Sequence, residues 1–161
     1  MTALVHFRSP VGPISVEATE EGICAVQFGG GAKARAPIGG AAQQHVEAAL
    51  QALRDYFAGT PPRLPPLQLR GTDWELSVWR ALLAIPFGET RSYGELARTL
   101  RRPGAARAVG QANHRNPVAI LVPCHRVVQA DGGLGGYGGG AEVKRWLLHH
   151  EASHVPLLRP T

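Results

Sequence analysis

A chain of 161 residues with 44% hydrophobic and 18% charged side chains has the make-up of an ordinary globular protein, long enough to bury a core in one domain or two small ones. Its longest uncharged apolar run, residues 117–124, falls far below the ~20 residues a membrane-spanning helix needs, and the few residues before His6 hold no secretory apolar stretch, so a cytoplasmic protein that meets no membrane is expected. Seventeen Lys and Arg against twelve Asp and Glu give +5, and the excess is local: residues 1–80 balance seven against seven, whereas between Arg91 and Arg126 seven cations face one anion, Glu95. That half is suited to a polyanion.

In chain order, short apolar alternations come first: Val5 and Phe7, then Ile14 and Val16, then Cys24, Val26 and Phe28, separated by turn residues around Pro10 and Glu21. They predict a small antiparallel meander. A Gly-rich loop over residues 29–40 leads to a helix with Val46, Leu50, Leu53 and Phe57 on one face, ended by Gly59. Residues 60–71 hold four prolines, which neither continue a helix nor donate to a ladder, so a semi-rigid linker is expected there. The boundary placed in it divides the chain into domains 1–71 and 72–161.

The second half opens on Asp73 as helix N-cap, with Leu76, Trp79 and Leu83 on one face and Pro86 and Gly88 as the stop. Ser92 and Glu95 have the spacing of a capping box at the head of a short helix with Leu96 and Leu100. After Pro103 and Gly104 a second short helix buries Ala105, Ala106, Val109 and Ala112 and presents Arg107 and Gln111. Two short helices, a tight turn and a basic outer face make a helix-turn-helix.

Residues 118–122 are continuously apolar, as a segment buried on both sides is, and lead into Pro123, Cys124, His125 and Arg126. A thiol becomes a nucleophile on ionising, and a neighbouring His and Arg favour the thiolate. Adjacent residues in an extended chain point apart, so His125 reaches the sulfur through a turn or a bridging water. In the last helix Val143, Leu147 and Glu151 share an apolar face, which buries a carboxylate able to orient His125 as a Cys–His–Glu relay. Between these elements seven of the nine residues 132–140 are glycine, with Tyr137 among them; a pocket wall with one stacking ring explains that aromatic better than a plain linker. The two cysteines, Cys24 and Cys124, lie a hundred positions apart without metal-ligand spacing, so neither a disulfide, a metal nor a cofactor is expected.

The block NPVAILVPCHRVV at residues 116–128, with IPFGETRSYGELA at 85–97, AARAVG at 105–110 and AEVKRWLLHHE at 141–151, resembles in order and spacing the O6-alkylguanine-DNA alkyltransferases, the methylated-DNA–protein-cysteine methyltransferases of direct DNA repair. The resemblance is strong from Gly71 to Glu151 and looser in the N-terminal turns. It implies an α+β fold: a small antiparallel sheet with one helix in a ribonuclease H-like N-terminal domain, then a mainly helical domain with a winged-helix-like helix-turn-helix. It also implies a single irreversible transfer of an alkyl group from O6 of guanine in double-stranded DNA to Cys124, by a monomer without a cofactor; whether O4 of thymine also reacts is left open.

On that pattern Glu151, His125 and a water activate Cys124, and Asn116 ties the helix-turn-helix to the active-site segment. Tyr93 donates to the leaving guanine, and the carbonyls of Cys124 and Val127 accept from its exocyclic amine. Tyr137 and Gly138 line the base pocket, where Gly138 offers a backbone amide at a place that is serine in some relatives. Arg107 fills the gap left by the flipped nucleotide, with Ala106, Gln111 and Ser92 at the DNA. Some relatives hold zinc in the N-terminal domain; Thr19 and Cys24 here are not a complete ligand set. Two other classes remain open on the residues alone, a lesion-binding module without chemistry and a Cys–His hydrolase, although the second leaves the helix-turn-helix without a use.

Overall fold

In the computed structural model, which describes residues 2–31, 33–35 and 39–155, the N-terminal alternation forms a three-stranded antiparallel sheet, β1 (Ala3–Ser9), β2 (Gly12–Ala18) and β3 (Ile23–Phe28), in that spatial order. Val5 lies opposite Val16 and Ile14 opposite Phe28. The first turn closes through Ser9, whose hydroxyl donates to the Gly12 carbonyl (2.6 Å) and accepts the Val11 amide (3.1 Å). Residues 32 and 36–38 of the expected Gly-rich loop lie outside the described residues.

Helix α1 (Ala41–Phe57) packs on β1 and β2. Its buried face is Ala42, Val46, Ala49, Ala52, Leu53 and Tyr56, rotated from the expected stripe, with Leu50 and Phe57 only half-buried. The alanines explain the rotation: small side chains bring the helix close to the sheet, yet a stripe of bulky residues passes over them. Gly59 (φ 94°) ends the helix, and a Cβ there would lie 2.1 Å from the His154 ring.

Both sheet edges carry further isolated pairings. Leu4 pairs with Arg35 beside β1. Along β3, Ile23 exchanges hydrogen bonds with Pro66 and Gln68, and Val26 with Pro117 and Ala119, all at 2.8–2.9 Å. The Pro-rich residues 60–71 are thus not a free spacer, since carbonyls accept where prolines cannot donate. The second pairing matters more for function, because it fixes the start of the segment leading to Cys124 against the N-terminal sheet.

Helix α2 (Asp73–Leu83) is capped by Thr72, not Asp73: Thr72 Oγ1 accepts the Glu75 amide (3.1 Å) while Glu75 Oε1 accepts the Thr72 amide (2.9 Å). It buries Val78, Trp79 and Leu82, leaving Leu76 and Leu83 half-buried. A two-residue strand β4 (Arg91–Ser92) precedes α3 (Tyr93–Thr99), and a turn with Arg101 (φ 59°) and Gly104 (φ 87°) leads to α4 (Ala106–His114). This is the expected helix-turn-helix. Its second helix buries Val109, Ala112 and Asn113, while Ala105 and Ala106 are half-buried. The indoles of Trp79 and Trp74 donate to the carbonyls of Ala112 (2.8 Å) and Ala108 (3.2 Å), pinning α4 to α2.

Residues 118–122 are buried apart from half-buried Ala119, as their apolar run requires, but they are no strand. After one bridge at Val118 the chain winds through tight turns, Leu121 to Ala119 (2.7 Å), Val122 to Val118 (3.1 Å) and Cys124 to Val122 (2.8 Å), with Ile120 at φ 69°. A β-branched residue in the left-handed region stores strain on the order of 1–3 kcal/mol. A 3-10 turn (Cys124–Arg126), strand β5 (Val127–Val128) parallel to β4, and helix α5 (Ala141–Ser153) complete the chain. One buried cluster joins Ile14 and Leu53 of the N-terminal part to Trp79, Val122 and Leu147 of the C-terminal part. No helix among the described residues is long and apolar enough to cross a membrane.

Candidate active site

Cys124 lies on the floor of a cavity of about 230 Å³ lined by Val26 to Phe28 at the end of β3, by Asn113, His114 and Asn116 at the end of α4, by Ala119, and by residues 136–139 of the Gly-rich loop. This joins both parts of the chain at one thiol, and the Gly-rich stretch with Tyr137 and Gly138 is the wall it was expected to be. Tyr137 packs edge-on against Phe28 (5.8 Å) and His125 (6.5 Å), and its hydroxyl is buried without a partner among the described residues. Through His114 and Gly136 the cavity opens into a groove of about 710 Å³ that carries Tyr93, Ala106, Arg107, Gly110, Gln111, Arg115, Gln129 and Gly135. Tyr93 approaches Gly135 so closely that a Cβ there would sit 2.4 Å from its hydroxyl, and Gly135 has φ 72° besides.

The 3-10 turn at Cys124 turns His125 inward, where it is fully buried. Its Nε2 donates to Glu151 Oε2. Glu151, 1% exposed, also accepts from Tyr56 Oη (2.7 Å) at Oε2, and from Arg126 Nε (2.8 Å) and the Gly88 amide (2.9 Å) at Oε1. Burial opposes ionisation of this carboxyl, yet the hydrogen bonds from His125 and Arg126 and the Arg126 charge prevail and hold it well below its ordinary value. Burial keeps His125 below its ordinary value, against the pull of Glu151, so the imidazole is neutral. With Nε2–H committed to the carboxylate, Nδ1 is bare, and it has no partner among the described residues.

The thiol is not the ready-made thiolate that a neighbouring His and Arg suggest. Burial pushes Cys124 up, while Asn116 and the Lys144 ammonium pull it down. Arg126 is turned away from the sulfur, with Nη1 on the Ile85 carbonyl (2.8 Å) and Nε on Glu151. The cation on the sulfur side is Lys144, fully buried, its Nζ donating to the Val127 carbonyl (2.6 Å); burial brings it down to about 8, against the pull of Cys124.

Asn116 holds the approach to the thiol: its Nδ2 donates to the carbonyls of Val122 (2.8 Å) and Val118 (3.3 Å), and Oδ1 accepts the Val118 amide (3.0 Å). Asn113 Nδ2 donates to the Cys124 carbonyl (3.2 Å), which also accepts the Val127 amide, and Asn113 Oδ1 is buried without a partner among the described residues. Ser92, expected at the DNA, is a buried N-cap whose oxygen accepts the Glu95 amide (3.0 Å), so its hydroxyl acts locally. Arg107 and Gln111 are exposed in the groove.

Tyr56 and Asn113 enter the site from outside the matched blocks, and Lys144 from within the block at 141–151, where the sequence assigned it no role. Lys144 alone of the three had a signal in helical spacing: Lys144, Leu147, His150 and Glu151 are the buried face of α5, and Val143, expected there, is half-buried. Cys24 stands apart, half-buried with its thiol on the Glu17 carbonyl (3.5 Å). Among the described residues no cluster of His, Cys, Asp and Glu has the make-up of a metal site.

Two family profiles match the chain, the ribonuclease-like domain of 6-O-methylguanine DNA methyltransferase over residues 5–70 and the DNA-binding domain of the same family over residues 73–153. A methylated-DNA–protein-cysteine methyltransferase of Mycobacterium bovis is 58% identical over 109 residues, covering 67% of this chain and 66% of that protein. The match thus spans just under two thirds of that mycobacterial relative. A protein of the same name from Methanosarcina acetivorans is 45% identical over 150 residues, 91% of this chain and 96% of the relative. In structure, the O6-methylguanine methyltransferase of Mycobacterium tuberculosis superposes with a TM-score of 0.83 at 43% identity, covering 98% of this chain and 96% of that one. The OGT protein of the same organism in complex with DNA gives 0.81 at 44% identity over 94% of each. The chain belongs to the 6-O-methylguanine DNA methyltransferase family.

Proposed function

We propose that this protein repairs DNA by transferring an alkyl group from O6 of guanine to Cys124, once per molecule. The observation that carries the reading is a buried thiol on the floor of a base-sized cavity, beside a neutral His125 whose Nδ1 is left bare by the bond of Nε2 to Glu151. O6 of a stacked, paired guanine cannot reach such a sulfur, so the nucleotide must rotate out of the duplex. The groove beside the cavity suits this: Ala106 and Gly110 let α4 approach a minor groove, and Arg107 stands where it can replace the lost base.

In the reaction Sγ attacks the alkyl carbon, the S–C bond forms and the C–O6 bond breaks. The thiol proton passes through one water to His125 Nδ1, and the imidazolium so formed is stabilised by Glu151. Lys144 favours the growing charge on sulfur. Tyr93 gives its phenolic proton to the departing guanine, so a neutral base leaves, and the proton held on His125 returns through water to the Tyr93 oxygen, which restores both side chains. The Cys124 carbonyl, expected to accept from the exocyclic amine, already accepts from Asn113 Nδ2 and the Val127 amide, which leaves Asn113 Oδ1 and the lone pair of the Val127 carbonyl not taken by Lys144 as its acceptors. Guanine is the leaving group and sulfur the acceptor, so the chemistry calls for no cofactor. A thioether is not displaced by water, which makes the protein a single-use reagent.

The reading extends to a monomer on double-stranded DNA, acting in the cytoplasm, with residues 1–71 and 72–161 as its two domains. A Cys124→Ser variant tests it against a lesion-binding module: it should bind a duplex carrying O6-methylguanine as tightly as the parent and transfer nothing, because an alcohol does not ionise near neutral pH. Transfer by that variant would name a different nucleophile.

A further inference from the structure

Tyr56 sits in the last turn of α1, in the N-terminal part, and is completely buried. Its hydroxyl donates to Glu151 Oε2 (2.7 Å), the same oxygen that receives His125 Nε2. Its ring stands edge-on to His125 (6.2 Å) and Phe87 (5.8 Å), and its backbone carbonyl accepts from His150 Nε2 (2.6 Å), one position before Glu151. One residue of α1 therefore holds both the backbone turn and the carboxylate oxygen on which the relay depends. A tyrosine serving only to fill the core needs its ring there and nothing from its hydroxyl.

We propose that Tyr56 is a positioning residue of the alkyl-transfer reaction, its hydroxyl fixing Glu151 Oε2 toward His125, so that the N-terminal part governs the relay. The inference rests on the relay described above. Burial, then the neighbouring Glu151, push the phenol well above its ordinary value, so it stays a donor throughout. A donor on a carboxylate stabilises the anion and makes the His125–Glu151 pair harder to protonate. Protonation of that pair removes the acceptor for the thiol proton. The other groups facing the pair are Arg126 from the 3-10 turn, Lys144 and His150 from α5, Tyr137 from the Gly-rich loop and the Cys124 thiol itself.

The test is the single-turnover rate of Cys124 alkylation across a pH series in the full chain, read by intact mass, for the parent, Tyr56→Phe and His125→Gln. Phenylalanine keeps the ring and removes the donor. The acid limb of its profile should move up by about one pH unit, a roughly tenfold loss on that limb, and rejoin the parent at alkaline pH, where the thiol ionises unaided. Site-specific 3,5-difluorotyrosine at position 56 keeps the fold and donates more strongly, and should move the limb the opposite way. Parent profiles in both variants would overturn the proposal and leave Tyr56 a core residue. His125→Gln separates the two levels of the argument, because it can still donate to Glu151 but cannot take a proton. If it reacts at the parent rate, the relay is wrong; if it is slow while both Tyr56 variants match the parent, only the role of Tyr56 is wrong.

Discussion

Replacing Glu151 by glutamine perturbs two things at once, and the structure sets the size of each. The amide oxygen can keep Arg126 Nε and the Gly88 amide, but the amide NH₂ then faces Tyr56 Oη and His125 Nε2, both donors in the parent. The phenol can rotate to accept. The imidazole can accept only by moving its proton to Nδ1, which turns the base into a donor and ends its use to the thiol. Loss of general-base assistance slows transfer by roughly 10²-fold or more, and the deficit should shrink at high pH. The second effect is structural. Arg126, 7% exposed, loses its counter-charge, and stranding one member of a buried ion pair costs about 3–5 kcal/mol. For a chain of this length that lowers the melting temperature by on the order of 10 °C. Single-turnover alkylation across pH, at a temperature where calorimetry shows both proteins folded, reads both. A folded variant that reacts at the parent rate near neutral pH would refute the relay through Glu151, and an unchanged melting temperature would refute the ion-pair account.

Acid should destabilise the parent by the same groups. Glu151 is held well below its ordinary value in the fold, so its contribution is complete above the unfolded value near 4.5 and is lost progressively as pH falls below it. The depressed value of His125 adds stability above its unfolded value near 6.5 that fades below it; melting temperatures that hold level between pH 7 and pH 3 would contradict both signs. Arg107→Ala should slow repair of a duplex far more than reaction with free O6-methylguanine, since only the duplex leaves a gap to fill, and equal slowing would assign Arg107 to the fold. Affinity for duplex should fall steeply with salt and vary little with sequence, as phosphate contacts require; a shallow slope in a titration series would contradict them.

What could be read in the sequence was whatever rests on local periodicity. The β1 to β3 meander, the Ser92 capping box and the helix placing Glu151 inside all follow from spacings of a few residues, and all are present. The misreadings have physical causes. Thr72 outranks Asp73 as a cap because Glu75 completes a reciprocal pair with it alone. The stripe on α1 turns toward its alanines, and Lys144 hides in an apolar face because a lysine at that spacing looks solvent-bound. Residues 118–122 have the composition of a buried strand but meet β3 for one bridge only, after which Asn116 draws their carbonyls into turns. The contact from Tyr56 to Glu151 spans 95 positions, and no local pattern encodes it.

The account stands most directly on the fate of one sulfur. Incubating the protein with excess duplex carrying a single O6-methylguanine, then weighing the intact chain and its Cys124 peptide, should show a gain of one methyl group in place of one hydrogen, on Cys124, with an equal amount of unmodified guanine restored in the DNA and no further turnover. Repaired DNA accumulating beyond the amount of protein, or a methyl group on Cys24 or any residue other than Cys124, would contradict it.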